Sequence, residues 1–148
     1  MSWNLNAYLQ LWRNNSSATE IPIRFFMVEG GEKRGFMDNQ VLHNNLEILL
    51  EFQDAVKYNN IIVGRTKDAF SGDIIKLSQN GKVNLDLRLI AGVVLQGNSE
   101  TNQLELQMNG VRISSMASST VGAMGEVEKL RFDFDLGNVN ISSASIGK

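Results

Sequence analysis

The chain contains no cysteine. That removes a disulfide frame, a thiolate nucleophile and every cysteine metal site. Histidine occurs once, at His43, so a catalytic triad or a histidine pair around a metal has at most one candidate member. No apolar run approaches the roughly 18 residues that a membrane-spanning helix requires. The opening residues, Met-Ser-Trp-Asn-Leu-Asn-Ala-Tyr, have neither a basic start nor an unbroken apolar stretch. No secretory signal is therefore expected, and export would take another route. Charge is mixed: 14 basic and 16 acidic residues give a net charge of −2, with no basic stripe to neutralise phosphates. Nucleic acid is thus not an expected partner, nor is membrane insertion. The phosphate-loop pattern Gly-x4-Gly-Lys-Ser/Thr is missing too. The glycine-rich stretch from Glu29 to Gly35 has the wrong spacing for it and reads as a hairpin turn. No catalytic residue, cofactor site or metal site is assigned.

What the chain does have is alternation. Its 148 residues, 43% hydrophobic and 20% charged, suffice for one domain over 1–148 with its own core. Trp3, Leu5, Ala7, Leu9 and Leu11 alternate, with Tyr8 and Trp12 opposite, as in a strand or an extended arm. Residues 21–28 read as a strand that begins at a sheet edge, because Pro22, the single proline, has no N–H to give. The apolar run from Leu46 to Phe52 is of a length that periodicity alone does not resolve between helix and strand. The spacing by two of Leu46, Ile48, Leu50 and Phe52, against Glu47 and Glu51, favours a strand. A short strand over 61–63 ends at Gly64.

The second half is more explicit. Val83, Leu85, Leu87 and Leu89 alternate with polar residues; so do Leu104, Leu106 and Met108, and again Leu130, Phe132, Phe134 and Leu136. Period two over such lengths means strands with one wet face and one buried face. Apolar parity changes between Met108 and Val111, which a β-bulge at Asn109-Gly110 would explain; an Asn-Gly hairpin turn is the alternative. Residues 114–125, mostly small, read as a long loop. The last strand spans about 126–136, with a short continuation over 138–141. Before these strands lies one short helix, about 70–80. Ser71 is its expected N-cap, Phe70 and Ile75 form a staple, and Gly81 ends it. The expected fold is mainly β: a small antiparallel β-barrel of two packed sheets with one short flanking α-helix.

Residues 61–136 resemble the Hcp (haemolysin-coregulated protein) family, the inner-tube protein of type VI secretion systems. Asp68-Ala-Phe-Ser-Gly-Asp-Ile-Ile-Lys-Leu-Ser-Gln-Asn-Gly-Lys82 is similar to the family's Asp-x-x-Ser-x-x-Leu helix ending in Gly-Lys. Leu106-Gln-Met-Asn-Gly-Val-Arg-Ile-Ser-Ser-Met116 resembles its bulged strand, and Glu128-Lys-Leu-Arg-Phe-Asp-Phe134 its closing strand. The first 60 residues depart from the usual pattern, lacking the Asp-Gly-Ile/Val-x-Gly-Glu turn. From Phe25 to Phe36 they look more like the tube proteins of contractile phage tails. The resemblance implies hexameric rings stacked into a tube, with sheath and spike or baseplate partners and effector cargo in the lumen. It also implies assembly in the bacterial cytoplasm and ejection without a signal peptide, or a place in a virion tail.

Candidate contacts between subunits or rings come from three places. Trp3, Tyr8 and Trp12 belong either to the core or to a docking arm. Met116, Val121 and Met124 either fold back on the core or touch a neighbour; methionine suits adaptable surfaces. Arg131, Asp133 and Asp135, beside Lys129, are either a solvated face or partners in cross-subunit ion pairs. The alternative function is a β-barrel that binds a lipid or small ligand.

Overall fold

The computed structural model describes residues 3–12, 19–31, 36–37, 45–68, 71–72, 74, 85–95, 101–120, 126–134 and 139–146. The alternating runs form strands, and leucine, β-branched and aromatic residues fill their buried faces. In chain order the elements are β1 (Trp3–Trp12), β2 (Thr19–Pro22), β3 (Phe25–Met27), β4 (Phe36–Met37), α1 (Asn45–Tyr58), β5 (Asn60–Thr66), β6 (Leu85–Leu95), β7 (Thr101–Thr120), β8 (Glu126–Asp133) and β9 (Val139–Ile146). All pairings are antiparallel, in the order β2-β1-β6-β7-β8-β5-β3-β4, with β9 added to β7. The mainly-β expectation holds.

The long strand β7 joins the two halves of the sheet. Its first part pairs with β6 and β9, its second with β8. Two bulges lie along it. Leu87 pairs with Met108 but Leu85 pairs with Val111, so β7 carries one extra residue at Asn109-Gly110, and Gly110 takes φ +70°. A positive φ costs glycine nothing, and the extra residue bends and twists the strand. The expected bulge is therefore present. A second falls at Ser114, between the pairs Ile113–Phe132 and Ser115–Arg131. On the opposite side the chain crosses between the halves in two residues: the Ile23 N–H donates to the Ala7 carbonyl of β1, and the Arg24 N–H to the Gly64 carbonyl of β5. One core results, with Leu9, Leu87, Leu89 and Leu106 from one half meeting Phe26, Ile61, Val63, Leu130 and Phe132 from the other.

Several expectations are corrected. Residues 46–52 are helix, not strand. The decisive residues are Ile48, Phe52 and Ala55, all buried, at the four- and three-residue steps of a helical face. A window ending at Phe52 does not reach Ala55 and Val56. The strand reading reversed the burial: Leu46 and Leu50 are 63% and 39% exposed, while Glu51 is fully buried. Phe52 packs on Phe26 with ring centroids 5.7 Å apart. Helix α1 ends at Asn59, whose φ of +59° is the left-handed stop that asparagine tolerates. Asn60 then ties this end to the β3 side: its Oδ1 accepts from the Glu29 N–H, and its Nδ2 donates to the Glu29 and Tyr58 carbonyls.

A 14-residue helix thus lies over 45–58, where the spacing favours a strand. In the stretch of the expected short helix, about 70–80, Ser71, Gly72 and Ile74 are helical. Phe70, Ile75 and Gly81 lie outside the described residues, as does His43. Ser71 is already inside the helix instead of capping it. Its N–H bonds the Asp68 carbonyl, and its hydroxyl accepts from the Asp68 N–H.

Residues 114–120 are strand, not loop. Ser115 to Thr120 pair residue by residue with Arg131 to Glu126. Small side chains hide the alternation there, because this end of β7 is largely exposed on both faces. Pro22 does stand on an edge strand, at the end of β2 rather than at a strand's start. The last segment, β9, runs to Ile146, beyond the short continuation expected. The glycine-rich turn does join a hairpin, in which Phe25 and Phe26 pair with Met37 and Phe36.

Candidate functional site

Among the described residues three charged side chains are buried, and two of them, Arg65 and Glu128, meet; the third, Glu51, lies on α1. Arg65, at the end of β5, pairs directly across the sheet with Glu128 of β8. Their side chains are 3% and 4% exposed, and Arg65 Nη1 lies 2.7 Å from Glu128 Oε2. Arg65 Nη1 also donates to Ser71 Oγ at 3.1 Å, and Ser71 Oγ donates to Glu128 Oε2 at 3.1 Å. The fork's other arm, Nη2, reaches Asp68 Oδ1 at 2.5 Å. Geometry of this kind suits arginine, whose rigid planar donors hold several acceptors at once. The cluster fixes the 67–72 segment onto β5 and β8. Within it Glu128 Oε2 accepts from both Arg65 and Ser71, which ties the segment to β8. Asp68, Ser71 and Glu128 all belong to the motifs quoted above. Their meeting, and the part of Arg65, are not visible in sequence. The one signal was an arginine closing an apolar strand.

A second group lies on the wet side of β8. Arg131 donates through Nε to Asp133 Oδ1 at 3.0 Å, and its Nη1 pairs with Glu29 Oε2. Arg131 and Asp133 are about one-third exposed, so this pair contributes little to stability. Both already have partners within the chain. Asp135 lies outside the described residues.

A third group crosses the outer face of the other half. Arg88 Nε sits 2.6 Å from Glu105 Oε1, and its Nη1 donates to Gln10 Oε1. Tyr8 is in the same row, opposite Ile90 and Pro22. Its phenol is held above the usual tyrosine value by burial first, then by the charges of Glu20 and Glu105, with Arg88 opposing. Strand β1 is thus no free arm: it lies between β2 and β6, and Trp3 and Trp12 pair through their backbones with Leu95 and Asp86. Met116 is half-buried and packs against the core. Val121 and Met124 lie outside the described residues. Of the candidate contacts whose side chains are described, Tyr8 lies on β1, Met116 packs on the core from β7, and Arg131 and Asp133 pair with each other on β8. Among the described residues, no three acidic or histidine side chains are grouped so as to hold a metal.

The fold as a whole matches a known architecture. The secreted protein Hcp3 from Pseudomonas aeruginosa superimposes with a TM-score of 0.57 over 97% of this chain and 99% of its own, at 9% identity. This chain has the Hcp fold. Hcp2 from Salmonella typhimurium aligns over 95% of each chain at 11% identity, with a TM-score of 0.47. A type VI secretion system effector from Yersinia pestis aligns over 95% of this chain and 99% of its own at 10% identity, with a TM-score of 0.48. No family model matches the sequence, and no curated protein is similar to it in sequence. The Hcp fold extends over the first 60 residues as well, where the sequence motifs depart from the usual pattern.

Proposed function

We propose that this protein is a structural subunit of the inner tube of a contractile injection machine, assembling into hexameric rings that stack. The observation that carries the reading is the shared fold with Hcp3, which spans both chains almost end to end. On this reading the sheath surrounds the tube, a spike or baseplate nucleates it, and the lumen takes effector cargo. The subunit assembles in the bacterial cytoplasm and is ejected with the tube. Its role is mechanical rather than catalytic.

The lipid- or ligand-binding barrel is the weaker reading. Phe25, Phe26, Phe52 and Phe132 are fully buried and occupy the interior that a ligand would need. Light scattering, with negative-stain images of the same sample, tests the proposal. The expected particle is a ring of uniform diameter with six times the 16.4 kDa mass of one chain, alone or in stacks. A monomer at every concentration, or a monomer that copurifies with an apolar ligand, would overturn it.

A further inference from the structure

Strand β7 changes partners part-way along. Its pairing with β9 ends at Met108–Val139, and its pairing with β8 begins at Arg112–Asp133. Its register with β6 steps from Met108 to Val111. Asn109 and Gly110 therefore stand in a gap on both sides, and none of the described residues is in register opposite them. Asn109 is exposed, and Gly110 holds φ +70°. Met108 and Val111, immediately before and after, are fully buried.

This dipeptide carries a chemistry of its own. The Gly110 backbone nitrogen lies one five-membered ring away from the Asn109 side-chain amide carbon. When the two join, the new Cγ–N bond closes a succinimide, the Cγ–Nδ2 bond breaks, and ammonia leaves with the proton of the Gly110 N–H. Water then opens the imide at one of its two carbonyls. One opening gives aspartate; the other gives isoaspartate, in which the main chain runs through Cγ and is longer by a methylene. Glycine obstructs the attack least of all residues, having no Cβ beside its nitrogen.

We propose that Asn109-Gly110 is a self-modification site, where the folded protein deamidates and loosens with age. Ladder pairing protects asparagines in strands, because it fixes the backbone torsions that ring closure has to change. The bulge and the change of partners leave this step outside the ladder, at a position that water reaches. Isoaspartate there inserts its methylene between two fully buried anchors, Met108 and Val111, and displaces one of them from its place in the core. The reaction belongs to the single chain and requires no ring.

The test holds the purified protein in mildly alkaline buffer and samples it over days, beside a sample kept unfolded in urea. Fragment masses locate each deamidated asparagine, which separates Asn109 from the other Asn-Gly pair, Asn80-Gly81, outside the described residues. The native rate at Asn109 should stay within about tenfold of the unfolded rate, since a segment held only at its ends opens at little free-energy cost. Aged protein containing isoaspartate at position 109 should melt below fresh protein. The Asn109→Gln variant, which would have to close a larger ring, should age without that loss; substitution at Gly110 is avoided because its positive φ disfavours any side chain. An Asn109 side chain that stays intact in the folded protein while it deamidates in urea would overturn the proposal. So would an aged sample rich in isoaspartate at that position that melts like fresh protein, or an Asn109→Gln variant that loses stability with age as fast as wild type.

Discussion

Removing Glu128 tests whether the Arg65 cluster positions the 67–72 segment. In Glu128→Ala the arginine keeps its charge at a site 3% exposed and loses its closest buried partner, 2.7 Å away. Breaking a buried pair by deleting one member costs about 3–5 kcal/mol, because the remaining charge stays desolvated. Asp68 remains within 2.5 Å of the other arm, and at 56% exposure it still offers a partner in contact with water. That places the expected loss at the lower end, about 3 kcal/mol. For a domain of this length the melting temperature should fall by about 6–12 °C. The urea midpoint should fall by about 1–3 M, at an ordinary slope of roughly 1–3 kcal/mol per molar. Unfolding is followed at one fixed protein concentration, since assembly adds its own stability. The control is Arg65→Met/Glu128→Leu. Replacing both charges by apolar groups of similar size is often neutral, so the double variant should recover most of the loss. A loss below about 1 kcal/mol in Glu128→Ala, or a double variant no better than the single, would refute the reasoning: the pair would then be solvated in practice and the segment held elsewhere.

Three further outcomes are expected. A Cβ on Gly64 would lie 2.1 Å from Phe25 Cε2, and Phe25 is itself 1% exposed, so Gly64→Ala should cost about 1–3 kcal/mol, part of it returned by Phe25→Leu; urea melts read both. Ile48→Ala should cost about 2–5 kcal/mol and Leu46→Ala about 0.5 or less, because Ile48 is buried and Leu46 is exposed; equal losses would contradict the helical face. Below pH 10.0 the Tyr8 phenol is neutral folded and unfolded, but above it the unfolded chain loses the proton first, since the folded phenol is raised. Stability should therefore fall as pH rises past that value, and Tyr8→Phe should lack this part of the decline in melts taken across the alkaline range.

Much of the β architecture was legible because it is carried by near neighbours in sequence. Leu87 and Leu89, Leu106 and Met108, Leu130 and Phe132 each show their face without reference to anything distant. The bulge was legible for the same reason: a parity change beside an Asn-Gly pair. Helix α1 is not legible in the same way, because a buried helical face and a buried strand share short apolar runs, and a glutamate such as Glu51 reads as solvent-facing although it is buried. Residues 115–120 were missed because strand pairing there depends on β8, not on their own composition. The candidate contacts were only partly legible. The packing of Met116 on the core, and the pairing of Arg131 with Asp133 and Glu29, depend on residues that no local pattern brings together.

The sequence by itself determined that the fold is antiparallel and mainly β, with a bulged strand, since alternation and glycine chemistry act over a few residues. Its motifs over 61–136 carry the resemblance to Hcp. Only the tertiary structure decided that Arg65 meets Glu128 and that Phe25 covers Gly64. Each of those depends on residues far apart in the chain being brought together by the crossover at Ile23-Arg24 and the bend in β7. Desolvation and close packing act on that assembled neighbourhood, and the linear order of residues does not contain it.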